Sequence, residues 1–178
     1  MGSKMQLAHY GLRTRDLEVT TGWYQKVFGA RTLFRNELLA FMSFDEEHHR
    51  FVIWDDGDTS ERPGNSAGVD HVGYSCGGPP ELADEYLRLR GMGVTPFMAV
   101  NHGFTSSLYY HDPDGNEVEI TCDNFPSKEE CSAWLASDEA PTLMQPPFFG
   151  SEFDPEALAA MRNSGETAKK MARLGLAG

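Results

Sequence analysis

The chain has 178 residues, 40% of them hydrophobic and 11% aromatic, which is enough to build a core and too much for disorder along most of its length. Fifteen Lys and Arg against 27 Asp and Glu give a formal charge of -12, which repels nucleic-acid phosphates and anionic membrane surfaces and argues against both as partners. Cys76, Cys122 and Cys131 show neither zinc-site nor disulfide-scaffold spacing, and no apolar run reaches the length of about 18 residues that a membrane span needs. A soluble cytoplasmic protein is expected.

In chain order, the first strand-like stretch is LAHYGLRT at 7–14, and its counterpart VDHVGYSC appears at 69–76. Each contains x-His-x-Gly. Each is followed by a helical stretch, DLEVTTGWYQKVFGA and PPELADEYLRLRGMG, with Gly29 and Gly91 expected to end the helices at matching offsets. Three strand-like runs come next in both copies: RTLFR, LLAFMSF and HRFVIWD, then VTPFMAV, SSLYYHD and NEVEITC. The pattern is βαβββ written twice, an α+β fold with a pseudo-twofold, whose paired modules form a curved sheet around a cleft. The expected boundaries are module one at 5–55, a polar linker at 56–68, module two at 69–122 and a C-terminal extension at 123–178. In the extension a helix is expected near 127–137, then a Pro-rich crossing, then a helix from about 155 capped by Asp154 with Pro155 at its first position. Phe148, Phe149 and Phe153 give this extension apolar weight for packing, for a lid or for a dimer contact.

All six histidines precede residue 112. His9 and His71 occupy equivalent positions, so a pseudo-twofold brings them together. The last hairpin supplies an oxygen donor. Pro113-Asp114-Gly115 fits a three-residue loop closed by a left-handed Gly, which pairs Asp112 with Asn116 and therefore Tyr109 with Glu119. Val118 and Ile120 then face the helices, and an inward Glu119 needs a cation to offset its desolvation. Two imidazoles and one carboxylate suit Fe(II), or alternatively Mn(II), and leave coordination positions open.

The string VNHGFTSSLYYHDPDGNEVEI, from Val100 to Ile120, resembles the signature of the type I extradiol ring-cleaving dioxygenases in the vicinal oxygen chelate superfamily. The resemblance covers 5–122, and the tail with DNFP and FDPEAL is similar to that of single-domain biphenyl-diol dioxygenase-like members. It implies that His9, His71 and Glu119 are iron ligands, that His102 is a hydrogen bonder near the bound ring and dioxygen, and that Tyr109 partners a substrate hydroxyl. It also implies an acid-base histidine in EEHHRFVI, assigned to His49 with His48 as the alternative. The expected reaction opens a catechol beside its diol with O2, giving a muconic semialdehyde-type product. Better-known members carry an additional N-terminal pair of modules that this sequence does not contain, so their substrate preferences do not transfer.

Two rivals share the fold: a glyoxalase-like isomerase or lyase, and a drug-binding resistance protein. The first usually takes two ligands from each half, yet the first-half counterpart of Glu119 falls near Val52. For the ring substituent, Phe104, Met144, Phe148 and Phe149 suit an aryl group, while Arg13, Arg50 or Asn101 suit a carboxylate. His111 is expected at the hairpin rim. A homodimer is compatible with exposed sheet edges.

Overall fold

The computed structural model describes residues 5–63, 66–147 and 149–162. Two compact units are present: one runs through Gly68 and also takes in Asp112–Asn116, and the other comprises Val69–His111 and the chain from Glu117 onward.

The first unit is a four-stranded sheet in the order β1-β4-β3-β2, formed by β1 (Tyr10–Arg13), β2 (Arg31–Arg35), β3 (Leu39–Ser43) and β4 (Phe51–Trp54). Helix α1 (Leu17–Phe28) starts at Asp16, whose carboxylate accepts from the Val19 N–H, and stops at Gly29, which takes φ 63. Its Leu17, Tyr24 and Val27 pack with Ala40, Met42, Phe51 and Ile53, all fully or nearly buried. Strand alternation therefore turns Gly11, Phe41 and Val52 to the opposite face.

The second unit repeats this order with β5 (His71–Ser75), β6 (Met98–Asn101), β7 (Thr105–His111) and β8 (Glu117–Asp123), in a sheet ordered β5-β8-β7-β6 with one further short strand beyond β6. Its helix α2 (Pro79–Gly91) buries Leu82, Ala83, Tyr86 and Leu89. One expectation fails here. Gly91 is the last helical residue, Met92 caps the helix, and the left-handed position falls on Gly93 at φ 77. GMG offers two glycines, and the Val94 N–H bond back to the Leu89 carbonyl at 2.9 Å selects the second. The strand foreseen in VTPFMAV also begins later than expected, at Met98.

The extension places α3 (Lys128–Leu135) behind its Ser127 cap, then a short α4 (Ala140–Leu143), then the unforeseen two-residue β9 (Ser151–Glu152), which pairs antiparallel with β6. Helix α5 (Pro155–Met161) has the expected Asp154 cap. It docks on α2, where the Tyr86 hydroxyl donates to Glu156 at 2.7 Å. Phe148 lies outside the described residues.

Candidate active site

The β7–β8 register agrees with the turn chemistry. The Asp112 N–H donates to the Asn116 carbonyl at 3.0 Å, Gly115 takes φ 83, and Tyr109 lies opposite Glu119. Val118 and Ile120 are buried on the helix side, and Glu119 is 9% exposed on the other side. Parallel pairing of β5 with β8 sets Gly73 opposite Glu119. A Cβ at Gly73 would stand 2.7 Å from Glu119 Oε2, so the glycine leaves the space that the carboxylate occupies. In the first unit the equivalent pairing is Gly11 with Val52, which confirms that no carboxylate stands at that place.

His71 opens β5 with its Nε2 3.3 Å from Glu119 Oε2. Its Nδ1–H donates to Asp70 Oδ2 at 2.8 Å, an orienting partner that sequence reading missed although Asp70 and His71 are adjacent. With Nδ1–H given to Asp70, His71 turns its Nε2 toward the Glu119 carboxylate. A positive charge between them, whether a proton on Nε2 or a metal cation, satisfies both groups, and an imidazole nitrogen beside a carboxylate is a donor set that fits such an ion. Within either unit, no group of three or more His, Cys, Asp or Glu among the described residues is gathered that could hold a metal ion.

Tyr109 donates to Glu119 Oε1 at 3.0 Å, and its oxygen lies 3.0 Å from His102 Nε2. Burial, followed by the Glu119 charge, pushes the Tyr109 pKa above the ordinary phenol value, so the hydroxyl keeps its proton. These residues line a cavity of about 330 Å³ with Phe104, Thr105, Thr121, Met144 and Phe149. Three of the four side chains expected for an aryl pocket therefore converge. The residues named for a carboxylate have partners of their own. Arg13 pairs with Asp56 at 3.3 Å, and Arg50 pairs with Asp45 at 2.9 Å and donates to the Leu7 and Ala8 carbonyls. Asn101 is 1% exposed and accepts from the Gly103 N–H.

His9 immediately precedes β1 in the first unit, with its ring centroid 4.5 Å from that of His49. His49 also packs on Phe41 at 5.2 Å, whereas the side chain of His48 is 75% exposed. The His49 pKa is lowered by burial first, then by His48 and His9. His111 is exposed and stacks on Phe97 at 4.0 Å, a rim position as expected. The Cys76 thiol is pushed up to about 11, chiefly by burial, which keeps it protonated and unreactive at neutral pH.

The sequence model of the Glyoxalase/Bleomycin resistance protein/Dioxygenase superfamily matches residues 6–120. Biphenyl-2,3-diol 1,2-dioxygenase 3 of Rhodococcus globerulus is 38% identical over 162 residues, spanning 90% of this chain and 83% of its own length. Biphenyl-2,3-diol 1,2-dioxygenase 2 of the same organism is 37% identical over 78% of this chain and 74% of its own. A solved glyoxylase/bleomycin resistance protein/dioxygenase domain from Frankia sp. EAN1pec shares the fold, with TM-score 0.58 and 20% identity, across 72% of this chain and 98% of that one. By the duplicated βαβββ order, the Gly73–Glu119 register and these matches, the chain belongs to the Glyoxalase/Bleomycin resistance protein/Dioxygenase superfamily.

Proposed function

We propose that this chain is an extradiol dioxygenase that opens a catechol ring with O2, with Fe(II) held by His9, His71 and Glu119; Mn(II) is the alternative ion. The observation that carries this reading against a glyoxalase-like lyase is Val52, which sits opposite Gly11 where a fourth ligand would have to stand. Three protein donors leave room for a diol and dioxygen. The chemistry such an ion supplies when bound is to hold both reactants together and let electrons pass between them.

The remaining steps belong to side chains. His49, whose lowered pKa keeps it neutral at pH 7, is the base that takes a catechol proton as the ring binds. Tyr109, held as a phenol, orients a substrate hydroxyl, and His102 lies beside it as the hydrogen-bonding partner. Phe104, Met144 and Phe149 give the ring an apolar wall that excludes water. This wall favours a catechol with an apolar aryl substituent over one bearing a carboxylate.

The test is anaerobic reconstitution with Fe(II), then oxygen-electrode and ultraviolet-visible assays over a panel of catechols. Oxygen uptake matched to a yellow ring-opened product is expected, with aryl catechols turned over faster than carboxylated ones. No uptake with any catechol, together with isomerase activity on a hemithioacetal, would transfer the site to the glyoxalase reaction.

A further inference from the structure

The extension contributes Met144 and Phe149 to the cavity wall and one main-chain oxygen to its chemistry. That oxygen is the Phe149 carbonyl, 2.9 Å from His102 Nδ1. A carbonyl has no proton to give, so Nδ1 must carry one, and a neutral imidazole then keeps its lone pair on Nε2.

The local chain aims this carbonyl. Phe149 adopts φ 51, a left-handed conformation that costs a residue with a side chain about 1–2 kcal/mol. Its N–H donates to the Gln145 carbonyl at 2.8 Å, which holds the turn. Gly150 comes next, and a Cβ there would lie 2.5 Å from the Asn101 carbonyl oxygen and 2.8 Å from Val100 Cγ1. Only glycine lets β9 press this closely on β6, next to His102. On the other side of His102, Gly103 takes φ 86, and a Cβ there would lie 2.3 Å from Trp134 of α3 and 2.8 Å from Leu143 of α4. The extension thus grips both neighbours of this histidine.

We propose that the C-terminal segment is a positioning element of the site, and that the Phe149 carbonyl sets His102 in the Nδ1–H tautomer so that Nε2 faces the cavity as an acceptor. The proton count gives this a consequence for ligands. Tyr109 gives its single proton to Glu119 Oε1 at 3.0 Å, so in this tautomer His102 Nε2, 3.0 Å from the same hydroxyl oxygen, is an acceptor short of a donor. A bound ligand bearing a hydroxyl fills that deficit, and one offering only lone pairs does not. The inference rests on placing His102 in the site, as in the proposed function, but its readout requires neither iron nor turnover.

The experiment is imidazole 15N NMR on full-length, 15N-labelled, metal-free protein, with thermal unfolding to confirm that each variant folds. In the wild type, His102 should show a protonated Nδ1 and an unprotonated Nε2; the opposite tautomer overturns the proposal. Gly150→Ala should displace β9 and shift the tautomer ratio toward Nε2–H roughly fivefold, the ratio one ordinary hydrogen bond is worth; an unchanged ratio also overturns it. Phe149→Gly keeps the carbonyl and relieves the left-handed strain, so it should retain the wild-type tautomer. A shift there as large as in Gly150→Ala would show that the ring, not the carbonyl, sets His102.

Discussion

Gly73 shows how much one missing side chain can decide. Its Cβ would fall 2.7 Å from Glu119 Oε2, closer than real contacts allow, whereas a Cβ at the equivalent Gly11 would find nothing nearer than the Val52 carbonyl at 3.9 Å. The repeated x-His-x-Gly motif therefore hides an asymmetry: only the second copy needs its glycine for a neighbouring carboxylate. Because the displaced atom is the far end of a side chain, Gly73→Ala should leave thermal stability close to wild type. It should weaken divalent-metal affinity, measured by calorimetric titration, by about 10–100-fold, the usual cost of disturbing a ligand's support. Gly11→Ala is the control and should bind metal as the parent does; equal losses in both variants would remove the proposed distinction. The pairing of Glu119 with Tyr109 was legible in the turn residues. The space across from it was not, because it depends on which residue the parallel partner strand brings opposite.

At the scale of the element, the tip of the β7–β8 hairpin, Asp112–Asn116, is counted within the first unit. Asp114 accepts from the Arg15 main chain and guanidinium at 3.1 Å each and from the Thr20 hydroxyl at 3.0 Å. The buried Asp112 caps the same turn and accepts from Tyr24 at 3.3 Å. Burial works against the Asp114 charge, but hydrogen bonds from Thr14, Arg15 and Thr20 outweigh it and hold the carboxyl below its ordinary pKa. Asp114→Ala leaves these donors unmet and should cost roughly 1–3 kcal/mol in chemical denaturation. The sign of the pH dependence follows from the lowered folded pKa: the stabilisation is complete above the unfolded value of about 3.9 and is lost as pH falls through the folded one. The gap between parent and variant should therefore close in acid, and a gap that persists there would mean that the ionised carboxylate is not the source. Pro113-Asp114-Gly115 announced the turn because φ constraints are local. Its partners on α1 were not legible, since nothing in a turn motif records what packs against its tip.

For the whole molecule, the -12 charge sets a background that attracts cations and slows the approach of anionic ligands. Among the described residues no helix is long and apolar enough to cross a membrane. If His9, His71 and Glu119 share one ion, metal should stabilise the folded chain by linkage, about 2.7 kcal/mol at a free concentration of one hundred times Kd. At this chain length that is a rise of about 2–4 °C in Tm per kcal/mol. His9→Ala, His71→Ala and Glu119→Gln should each abolish the metal-dependent rise in calorimetry; an undiminished rise in His9→Ala would take that residue out of the ligand set.

What the amino-acid order determined alone was governed by short-range rules, although even there the choice between Gly91 and Gly93 at the end of α2 was not legible. The duplicated βαβββ pattern came from strand and helix periodicity, the Tyr109–Glu119 register from turn chemistry, and the Asp16, Ser127 and Asp154 caps are local signals of the same kind. Tertiary structure decided what depends on contacts between distant segments. It committed Arg50 to Asp45 and to the chain ahead of His9, added β9 to the sheet edge, and brought a main-chain oxygen from residue 149 to the imidazole of residue 102. A carbonyl carries no residue identity and an arginine can reach many acceptors, so only packing selects among the partners that sequence leaves equally possible.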